Sequence, residues 1–170
     1  MKITVGIPAY NEEKNIAKII VKLKKTVDQI LVCDDGSTDS TCAIAESLGV
    51  TVIKHQKNSG YGMAIRSIFL KAREINADVL VTIDADGQHK VEDINKIIKP
   101  IVDGQADISI GSRFLAEDDN TPSYRKLGVK IITKVTNSSL SEKVTDAQSG
   151  FRAYNNKVLQ SLTPSDSGMG

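Results

Sequence analysis

Tryptophan is absent from the sequence, and aromatic residues make up only 4% of its 170 residues. Proteins that bind single-stranded nucleic acid by stacking bases on aromatic rings need more such rings, so this class of binder is disfavoured. The 22 basic and 21 acidic residues leave a net charge of +1, and no overall positive field therefore attracts a polyanion. We predict that nucleic acid is not a partner of this protein.

Cysteine is scarce, and its spacing argues against two kinds of site. Cys33 and Cys42 form neither a CxxC motif nor the framework of a disulfide-rich domain. Because stable disulfides belong to oxidising compartments, this usage favours a reducing one, and we predict a cytoplasmic protein. The longest apolar runs reach about half of the roughly 20 residues that span a membrane, and no signal segment opens the chain. Contact with a membrane is expected only at its cytoplasmic surface, as a peripheral protein.

Short β-branched runs alternate with amphipathic segments along most of the chain. The runs predict strands at residues 2–7, 29–33, 50–55, 78–83 and 106–112. Capping residues predict that one helix begins after Asn11 and that a second begins after Thr38 or Asp39. Further helices are predicted at 60–75, 91–104, 125–137 and 156–162, with a mobile loop at 115–123. This alternation predicts a single domain over residues 1–170, with an α/β fold, a largely parallel sheet and helices on both faces.

Polar residues follow every predicted strand. They form the segments 8–12, 34–39, 57–62, 84–89 and 112–113. In open α/β sheets, ligands bind outside the carboxyl ends of the strands, so these segments are expected to border one crevice. The competing interpretation is that loops are polar in most proteins, whether or not they bind a ligand.

The segment IDADGQH, residues 83–89, places two carboxylates one residue apart where an apolar run ends. Asp84 and Asp86 repel each other unless a metal ion, basic side chains or water lies between them. Their hard oxygen atoms form half of a site for Mg²⁺ or Mn²⁺, which often completes its coordination with substrate phosphates. The alternative is a solvated turn, because Asp–Gly is common in tight turns and Gly87 is expected to begin one here.

Two further segments offer groups for a nucleotide. In PAYNE, residues 8–12, Tyr10 offers a ring for a base, and Glu12 offers an acceptor for a base or a ribose. In DDGSTD, residues 34–39, Asp35 offers another acceptor. The first strand is not followed by GxGxxG, which argues against a dinucleotide-binding Rossmann protein. Helix capping alone is the competing interpretation of both segments.

Two other segments offer groups that could bind an anion. In KNSGYG, Lys57 and the backbone at Gly60 precede a predicted helix N-terminus, which is a natural site for an anion. Arg113, next to the end of the fifth predicted strand, can bind phosphate through two hydrogen bonds. Two glycines at this spacing are weak support by themselves, so these assignments depend on the other segments.

Six segments occur in one order: PAYNE, DDGSTD, NSGYGMAIRSI, DADGQH, GSRF and DAQSGFR. Together they resemble glycosyltransferase family 2, which has the GT-A fold with a Rossmann-like sheet, and within it the dolichyl-phosphate mannose or glucose synthases. The resemblance extends from residue 3 to about residue 160. Any one of these motifs is weak support, whereas six in this order are strong support.

The resemblance implies a role for each matching residue. The donor, a nucleotide diphosphate sugar, would contact Pro8, Ala9, Tyr10, Glu12, Asp35, Lys57, Gly60, Asp84, Ala85 and Arg113. The metal ion, Mn²⁺ or Mg²⁺, would be held by Asp84, Asp86 and Gln88. The catalytic residues would be Asp86, Arg113 and Asp146, and Arg125 would bind the phosphate of the acceptor.

The implied reaction transfers a sugar, with inversion, from a GDP- or UDP-sugar to an acceptor. The expected acceptor is a polyprenyl or dolichyl phosphate at a membrane surface, and such a phosphate is ionised near neutral pH without a strong base. A sugar hydroxyl would instead need a base such as Asp146. The sequence ends at Gly170, where the family usually continues, so the C-terminal part of the family domain is expected to be missing. A homo-oligomer is compatible with the sequence.

Three other functions stay open on the sequence alone. Haloacid-dehalogenase-type phosphatases also place DxDG at a strand end, but Gln88 stands where they have Thr or Ser. That assignment also leaves PAYNE and DDGSTD unexplained. A nucleotide-sugar-binding fragment without turnover fits the same donor motifs. A plain scaffold would have no affinity for nucleotides.

Overall fold

The computed structural model describes residues 1–87, 89–111 and 149–162. Within these ranges the strands form a single six-stranded sheet. The following predictions lie outside the described residues: the loop at 115–123, the helix at 125–137, and the residues Gln88, Arg113, Arg125 and Asp146.

The sheet is largely parallel, as predicted. Its strands are β1 (Ile3–Ala9), β2 (Gln29–Asp34), β3 (Thr51–Lys54), β4 (Val79–Thr82), β5 (Ile108–Ile110) and β6 (Arg152–Asn155). They lie in the order β3-β2-β1-β4-β6-β5. The neighbours β3, β2, β1 and β4 pair in parallel, while β6 is antiparallel to both β4 and β5.

Strand β6 is not predicted by the sequence pattern. Its sequence, RAYN, has no β-branched residue, and the pattern indicates only a segment that leads into a helix. In the structure Ala153 and Tyr154 are buried, and the strand pairs on both sides. Because a strand inside a sheet is stabilised by its cross-strand neighbours, its own residues need not have a high strand propensity.

Helices cover both faces of the sheet, which confirms the prediction. They are α1 (Ile16–Leu23), α2 (Thr41–Ser47), α3 (Tyr61–Glu74), α4 (Ile94–Val102) and α5 (Asn156–Ser161), and a 3-10 turn, Val91–Asp93, leads into α4. Isoleucines of α1 and α4 pack with Ala45 of α2 on one face. Ile68 of α3 packs with Leu159 of α5 on the other face. In the described part of the chain, none of these helices is long and apolar enough to cross a bilayer.

Strand β1 continues through Pro8 to Ala9, so the prediction that it stops at Pro8 is wrong. The Gly6 carbonyl accepts a hydrogen bond from Ile83 N on the β4 side, and alternate residues of a strand face the same neighbour. The pairing of β4 with β1 ends where Thr82 meets Gly6. Pro8 therefore faces a position where no ladder partner requires the N–H that proline lacks.

The first helix begins at Ile16, after Asn15, and not after Asn11 as predicted. Asn11 has a φ of 55°, in the left-handed region, whereas an N-cap residue has an extended backbone. The C-terminal ends of two helices agree with the sequence pattern better than the start of α1 does. Gly49 and Gly104, with φ of 66° and 69°, follow α2 and α4 as predicted.

Candidate active site

A cleft opens at the carboxyl ends of β1, β2 and β4, beside the N-terminus of α3. Its volume is about 410 Å³, within the range of roughly 300–1,000 Å³ that is typical of small-molecule sites. This is the edge at which parallel sheets bind ligands. The cleft is lined by Pro8, Ala9, Tyr10, Glu12, Asp35, Asn58, Gly60, Tyr61, Ala64, Asp84, Ala85 and Asp86.

The cleft brings together most of the residues that the sequence predicts for the site. Every predicted site residue that the structure describes lines it except Lys57, whose side chain is exposed. Asn58, Tyr61 and Ala64 also line the cleft, and sequence reasoning missed them. Asn58 and Tyr61 belong to the KNSGYG segment, as Gly60 does, so this segment was the signal from which they could have been predicted. Their contacts with a donor stay predictions.

Hydrogen bonds join the PAYNE segment to the DDGSTD segment. Asn11 N donates to Ser37 Oγ at 2.9 Å, and Asn11 Oδ1 accepts from Thr38 N at 2.9 Å. Glu12 N donates to Thr41 Oγ1 at 2.7 Å. The two segments therefore form one wall of the cleft, although they follow different strands.

Asp39 belongs to this wall as a structural residue. Its carboxylate accepts from Thr41 N at 2.9 Å, at the start of α2, and from Glu13 N at 3.1 Å. Desolvation raises the pKa of the Asp39 carboxyl, but hydrogen bonds from Thr41 and Glu13 outweigh that effect and lower the pKa below its ordinary value. The carboxylate thus binds at the start of α2 as expected, but the helix begins at Thr41, after Ser40, and not directly after Thr38 or Asp39 as predicted.

Asp35 is only 4% exposed and accepts hydrogen bonds from the loop after β3. His55 Nδ1 lies 2.6 Å from Asp35 Oδ1, and Gly60 N lies 2.8 Å from Oδ2. Ser59 N lies 3.0 and 3.1 Å from the two oxygens. The amides that the sequence predicts as an anion site therefore bind the carboxylate of this chain's own Asp35. His55 was missed because its only signal in the sequence is that it follows a strand, whereas Ser59 lies inside the KNSGYG segment, which was the available signal for it.

The turn after Asp35 requires glycine. Gly36 has a φ of 73°, and a Cβ atom there would lie 2.5 Å from the carbonyl carbon of Lys57. A larger residue would push the two loops apart and move the amides of the KNSGYG segment away from Asp35. Glycine at position 36 is therefore required for the contact between the two loops.

Residues 84–87, which we call the acidic turn, follow β4. Asp84, Ala85 and Asp86 line the cleft, and Gly87 has a φ of 75° as expected for a turn. Tyr61 Oη donates a hydrogen bond to Asp84 Oδ1 at 3.2 Å. Desolvation of the hydroxyl and the adjacent Asp84 carboxylate raise the pKa of Tyr61, so the phenol stays protonated and remains a donor.

The segment before β6 packs directly against the acidic turn. Thr82 Oγ1 donates a hydrogen bond to the Gly150 carbonyl at 2.9 Å. A Cβ atom at Gly150 would lie 2.5 Å from Asp84 Cγ. Only glycine therefore allows this close approach, and Gly150 of the QSGFR motif borders the acidic turn through a contact between distant parts of the chain.

The carboxylates of the acidic turn fit part of a divalent-cation site. Carboxylate oxygens are the ligands that Mg²⁺ and Mn²⁺ prefer, and such ions commonly keep waters or bind substrate phosphates as well. Among the residues that the structure describes, no group of three or more His, Cys, Asp or Glu side chains is arranged to hold a metal ion. Asp84 and Asp86 would need further ligands, from water, from a bound phosphate or from Gln88.

Comparison with known proteins assigns the chain to a family. Residues 4–163 match the family profile described as Glycosyl transferase family 2. The chain belongs to glycosyl transferase family 2. This confirms the resemblance that the six ordered motifs indicate. It also confirms the prediction that the protein is a glycosyltransferase.

Relatives in family 2 carry names that refer to lipid phosphates. The UDP-N-acetylglucosamine–dolichyl-phosphate N-acetylglucosaminyltransferase of Methanococcus voltae is 37% identical, over 92% of this chain and 70% of the relative. The dolichol-phosphate mannosyltransferase of Pyrococcus furiosus is 34% identical, over 95% of this chain and 48% of the relative. The polyprenol monophosphomannose synthase of Mycolicibacterium smegmatis is 33% identical, over 93% of this chain and 63% of the relative. The chain thus spans between 48% and 70% of the length of these relatives.

Solved structures show the same fold. Glucosyl-3-phosphoglycerate synthase from Mycobacterium tuberculosis, in complex with Mn²⁺, UDP and glucosyl-3-phosphoglycerate, matches with a TM-score of 0.74 and 22% identity, over 95% of this chain and 59% of that chain. Mannosyl-3-phosphoglycerate synthase from Rubrobacter xylanophilus matches with a TM-score of 0.73 and 20% identity, over 93% of this chain and 54% of that chain. At these identities the comparison concerns the fold alone, and it confirms the predicted GT-A fold.

Proposed function

We propose that the chain carries the donor site of an inverting, metal-dependent glycosyltransferase. In this proposal a sugar moves from a GDP- or UDP-sugar to a polyprenyl or dolichyl phosphate at the cytoplasmic surface of a membrane. The observation that supports it most is that one cleft joins the PAYNE–DDGSTD wall to the acidic turn. A nucleoside diphosphate needs both a polar surface for its base and ribose and a site that balances the charge of its phosphates.

The base and ribose are assigned to the wall that carries Tyr10 and Asp35. Tyr10 is 45% exposed, so its ring is available to stack on a base. A carboxylate has about four acceptor directions, and N–H groups of His55, Ser59 and Gly60 occupy those of Asp35 on the loop side. Because Asp35 also lines the cleft, its remaining acceptor direction can receive a hydrogen bond from the base or the ribose.

The diphosphate is assigned to the acidic turn. Asp84 and Asp86 would hold Mn²⁺ or Mg²⁺ there, together with Gln88. A cation bound at this place balances the negative charge that develops on the leaving diphosphate. Without it, two carboxylates would repel a diphosphate, which is why the proposal includes a metal. Arg113 is proposed to add a fixed positive charge near the phosphates.

The acceptor is assigned by chemical class. A lipid phosphate is ionised near neutral pH, so it can attack the anomeric carbon without a strong base. The names of the relatives, which refer to dolichyl phosphate, dolichol phosphate and polyprenol, support this class. Arg125 is proposed to bind the acceptor phosphate, and Asp146 to act near the acceptor.

A thermal-shift panel tests the donor site. GDP, UDP and their sugars are added with Mn²⁺, and again with a chelator. At a ligand concentration of about 100 times Kd, binding raises the free energy of unfolding by about 2.7 kcal/mol, which in a domain of this size raises Tm by roughly 5–10 °C. We expect this shift for one of the nucleotides, and only with the metal.

Sugar transfer to a polyprenyl phosphate is then measured on the same preparation. Transfer together with the metal-dependent shift supports the whole proposal. A shift without transfer indicates the alternative, a fragment that binds nucleotide sugars without turnover. No shift with any nucleotide contradicts the donor site and favours a scaffold, and an aspartyl-phosphate on Asp84 would instead indicate a phosphatase.

A further inference from the structure

We propose that His55 is a positioning residue of the nucleotide site. It holds the Asp35 carboxylate in the orientation in which it can accept a hydrogen bond from the base or the ribose. The inference rests on the proposed function, because it concerns how the proposed nucleoside contact is kept in place. His55 directly follows β3, the outermost described strand on its side of the sheet. Its side chain is 15% exposed and that of Asp35 is 5% exposed, so their contact is largely shielded from water.

The partners of His55 determine which ring nitrogen carries a proton. An ionised carboxylate only accepts hydrogen bonds, so Nδ1, which lies 2.6 Å from Asp35 Oδ1, is the donor. Nε2 lies 2.8 Å from Ser67 Oγ. A hydroxyl donates to a neutral ring and accepts from a charged one, so Ser67 suits both protonation states. In either state, the N–H at Nδ1 stays directed at Asp35.

Cys33 lies beside the imidazole ring of His55, on the side of Nε2. Its Sγ lies 3.6 Å from His55 Nε2, and the residue is fully buried. Burial, with the nearby carboxylates of Asp35 and Asp34, raises the pKa of the Cys33 thiol to about 12, so the thiol stays uncharged and places no second anion beside the ring. The ring cannot rotate away from Asp35 without losing its hydrogen bonds to both Asp35 and Ser67.

The two backbone donors do not replace His55. Of the two oxygens of Asp35, Gly60 N donates to Oδ2, at 2.8 Å, and it also donates to Asn58 Oδ1 at 3.1 Å. Ser59 N lies between the two oxygens, at 3.0 and 3.1 Å. His55 makes the shortest of these bonds and makes it to Oδ1. Without His55, the described donor that Oδ1 keeps is Ser59 N, which it shares with Oδ2. Because rotamer preferences about the terminal bond of Asp are broad, we expect the carboxylate to be held less firmly and the acceptor direction left for a ligand to be less well defined.

The order Ser67, His55, Asp35 has the connectivity of a serine hydrolase triad. Ser67 is not among the described residues that line the cleft, and its hydroxyl also interacts with the buried Cys33 thiol. A nucleophile has to reach its substrate. The geometry therefore supports a positioning role and not a nucleophilic one.

Calorimetry on two variants tests the proposal. His55→Phe removes the hydrogen bonds of the ring to Asp35 and Ser67, while His55→Asn keeps an N–H donor near the position of Nδ1. GDP, UDP and pyrophosphate are titrated, each with Mn²⁺. We expect His55→Phe to weaken nucleotide binding by about tenfold or more, as for the loss of a hydrogen bond to a charged group, and to leave pyrophosphate binding unchanged. His55→Asn should restore most of the nucleotide affinity.

A measurement on the unmodified chain is independent of any folding defect in the variants. A short N–H bond to a carboxylate moves the ring proton downfield and slows its exchange with water. The ¹H–¹⁵N NMR spectrum of the His55 side chain should therefore show a protected, downfield proton on Nδ1. A spectrum with the proton only on Nε2 would overturn the proposal.

The outcomes separate this inference from the function on which it rests. If the unmodified chain binds neither GDP nor UDP, the proposed function fails and the inference fails with it. If the unmodified chain binds a nucleotide and His55→Phe binds it equally well, only the inference fails. Equal losses of nucleotide and pyrophosphate affinity, with a lower Tm and no rescue by His55→Asn, would assign to His55 a purely structural role and would also overturn it.

Discussion

Asp84 lies in contact with, or close to, several other residues of the site. Its carboxylate accepts a hydrogen bond from Tyr61, lies against Gly150 and shares the acidic turn with Asp86. Two carboxylates this close in sequence repel each other when no cation lies between them. Residues kept for binding often lower stability, so binding and stability should respond differently to substitution here.

Asp84→Ala and Asp86→Ala should strongly weaken metal-dependent nucleotide binding and keep the fold. We expect an affinity loss of at least roughly tenfold to a hundredfold, since even partners of metal ligands have effects of that size. The free energy of unfolding should change by less than about 1 kcal/mol. Calorimetry with Mn²⁺ and GDP or UDP, together with urea denaturation, measures both quantities.

Asp103→Ala is the matched control for these variants. Asp103 is an exposed aspartate that does not line the cleft, so its removal should leave nucleotide affinity unchanged. An Asp84→Ala protein that is strongly destabilised and yet binds nucleotide normally would contradict the assignment of the acidic turn.

At the scale of the elements, contacts between loops shape the wall of the cleft. The residues that precede α1 and α2, Asn15 and Ser40, make no side-chain cap hydrogen bond. Asn11 and Asp39, which the sequence pattern assigns to helix starts, both bond across to the other loop. The two βα loops therefore stabilise each other, and this holds Tyr10 beside the cleft.

Asp39→Ala should lower the free energy of unfolding by about 1 kcal/mol at neutral pH, as for the loss of a helix cap. Because hydrogen bonds lower the pKa of Asp39 in the folded protein, its contribution is complete above the pKa of the unfolded chain. The contribution is lost as the pH falls through the lowered folded pKa. The difference between the wild type and the variant should therefore shrink between pH 7 and about pH 2–3.

Urea denaturation at the two pH values measures this difference. Ser47→Ala is the control, because the Ser47 hydroxyl donates to the Ile44 carbonyl of its own helix and does not titrate. The effect of that substitution should be the same at both pH values. A difference for Asp39→Ala that does not change with pH would show that its carboxylate charge contributes nothing to the wall.

At the scale of the whole molecule, the order of the strands brings residues 149–152 to the acidic turn. Strand β6 inserts between β4 and β5, and its pairing places Arg152 beside Thr82. The preceding glycine, Gly150, then lies against Asp84. The geometry of the acidic turn thus depends on a segment that lies far away in the sequence.

Gly150→Ala should therefore disturb the acidic turn from a distance. The added methyl group meets the Asp84 carboxylate, so we expect metal-dependent nucleotide affinity to fall by roughly tenfold. The free energy of unfolding should fall by about 1–3 kcal/mol, as for other overpacked sites. Calorimetry and urea denaturation on the same protein measure the two effects.

Gly49→Ala provides the comparison for this variant. Its φ of 66° makes alanine unfavourable, but within the described part of the chain the added Cβ would meet no atom within 4 Å beyond its chain neighbours, and the residue is not among those that line the cleft. It should lose stability without losing affinity. Wild-type affinity in Gly150→Ala would contradict the inferred contact between the QSGFR motif and the acidic turn.

The sequence by itself determined the fold class and predicted where the candidate site lies. Apolar runs that alternate with amphipathic segments are sufficient to predict a largely parallel sheet with helices on both faces, since these patterns are local. The general rule for such sheets then places the polar strand ends, with Tyr10, Asp35 and Asp84, at one edge. The predicted roles of Gln88, Arg113, Arg125 and Asp146 concern residues outside the described ranges and stay predictions.

Only the tertiary structure decided how these groups are held. Strand β6, the passage of β1 through Pro8 and the late start of α1 all depend on neighbouring strands and loops. The same is true of the contact of His55 with Asp35 and that of Gly150 with Asp84. The physical reason is that cross-strand pairing and hydrogen bonds between loops join residues far apart in the chain, and a local pattern of residue types carries no record of these partners.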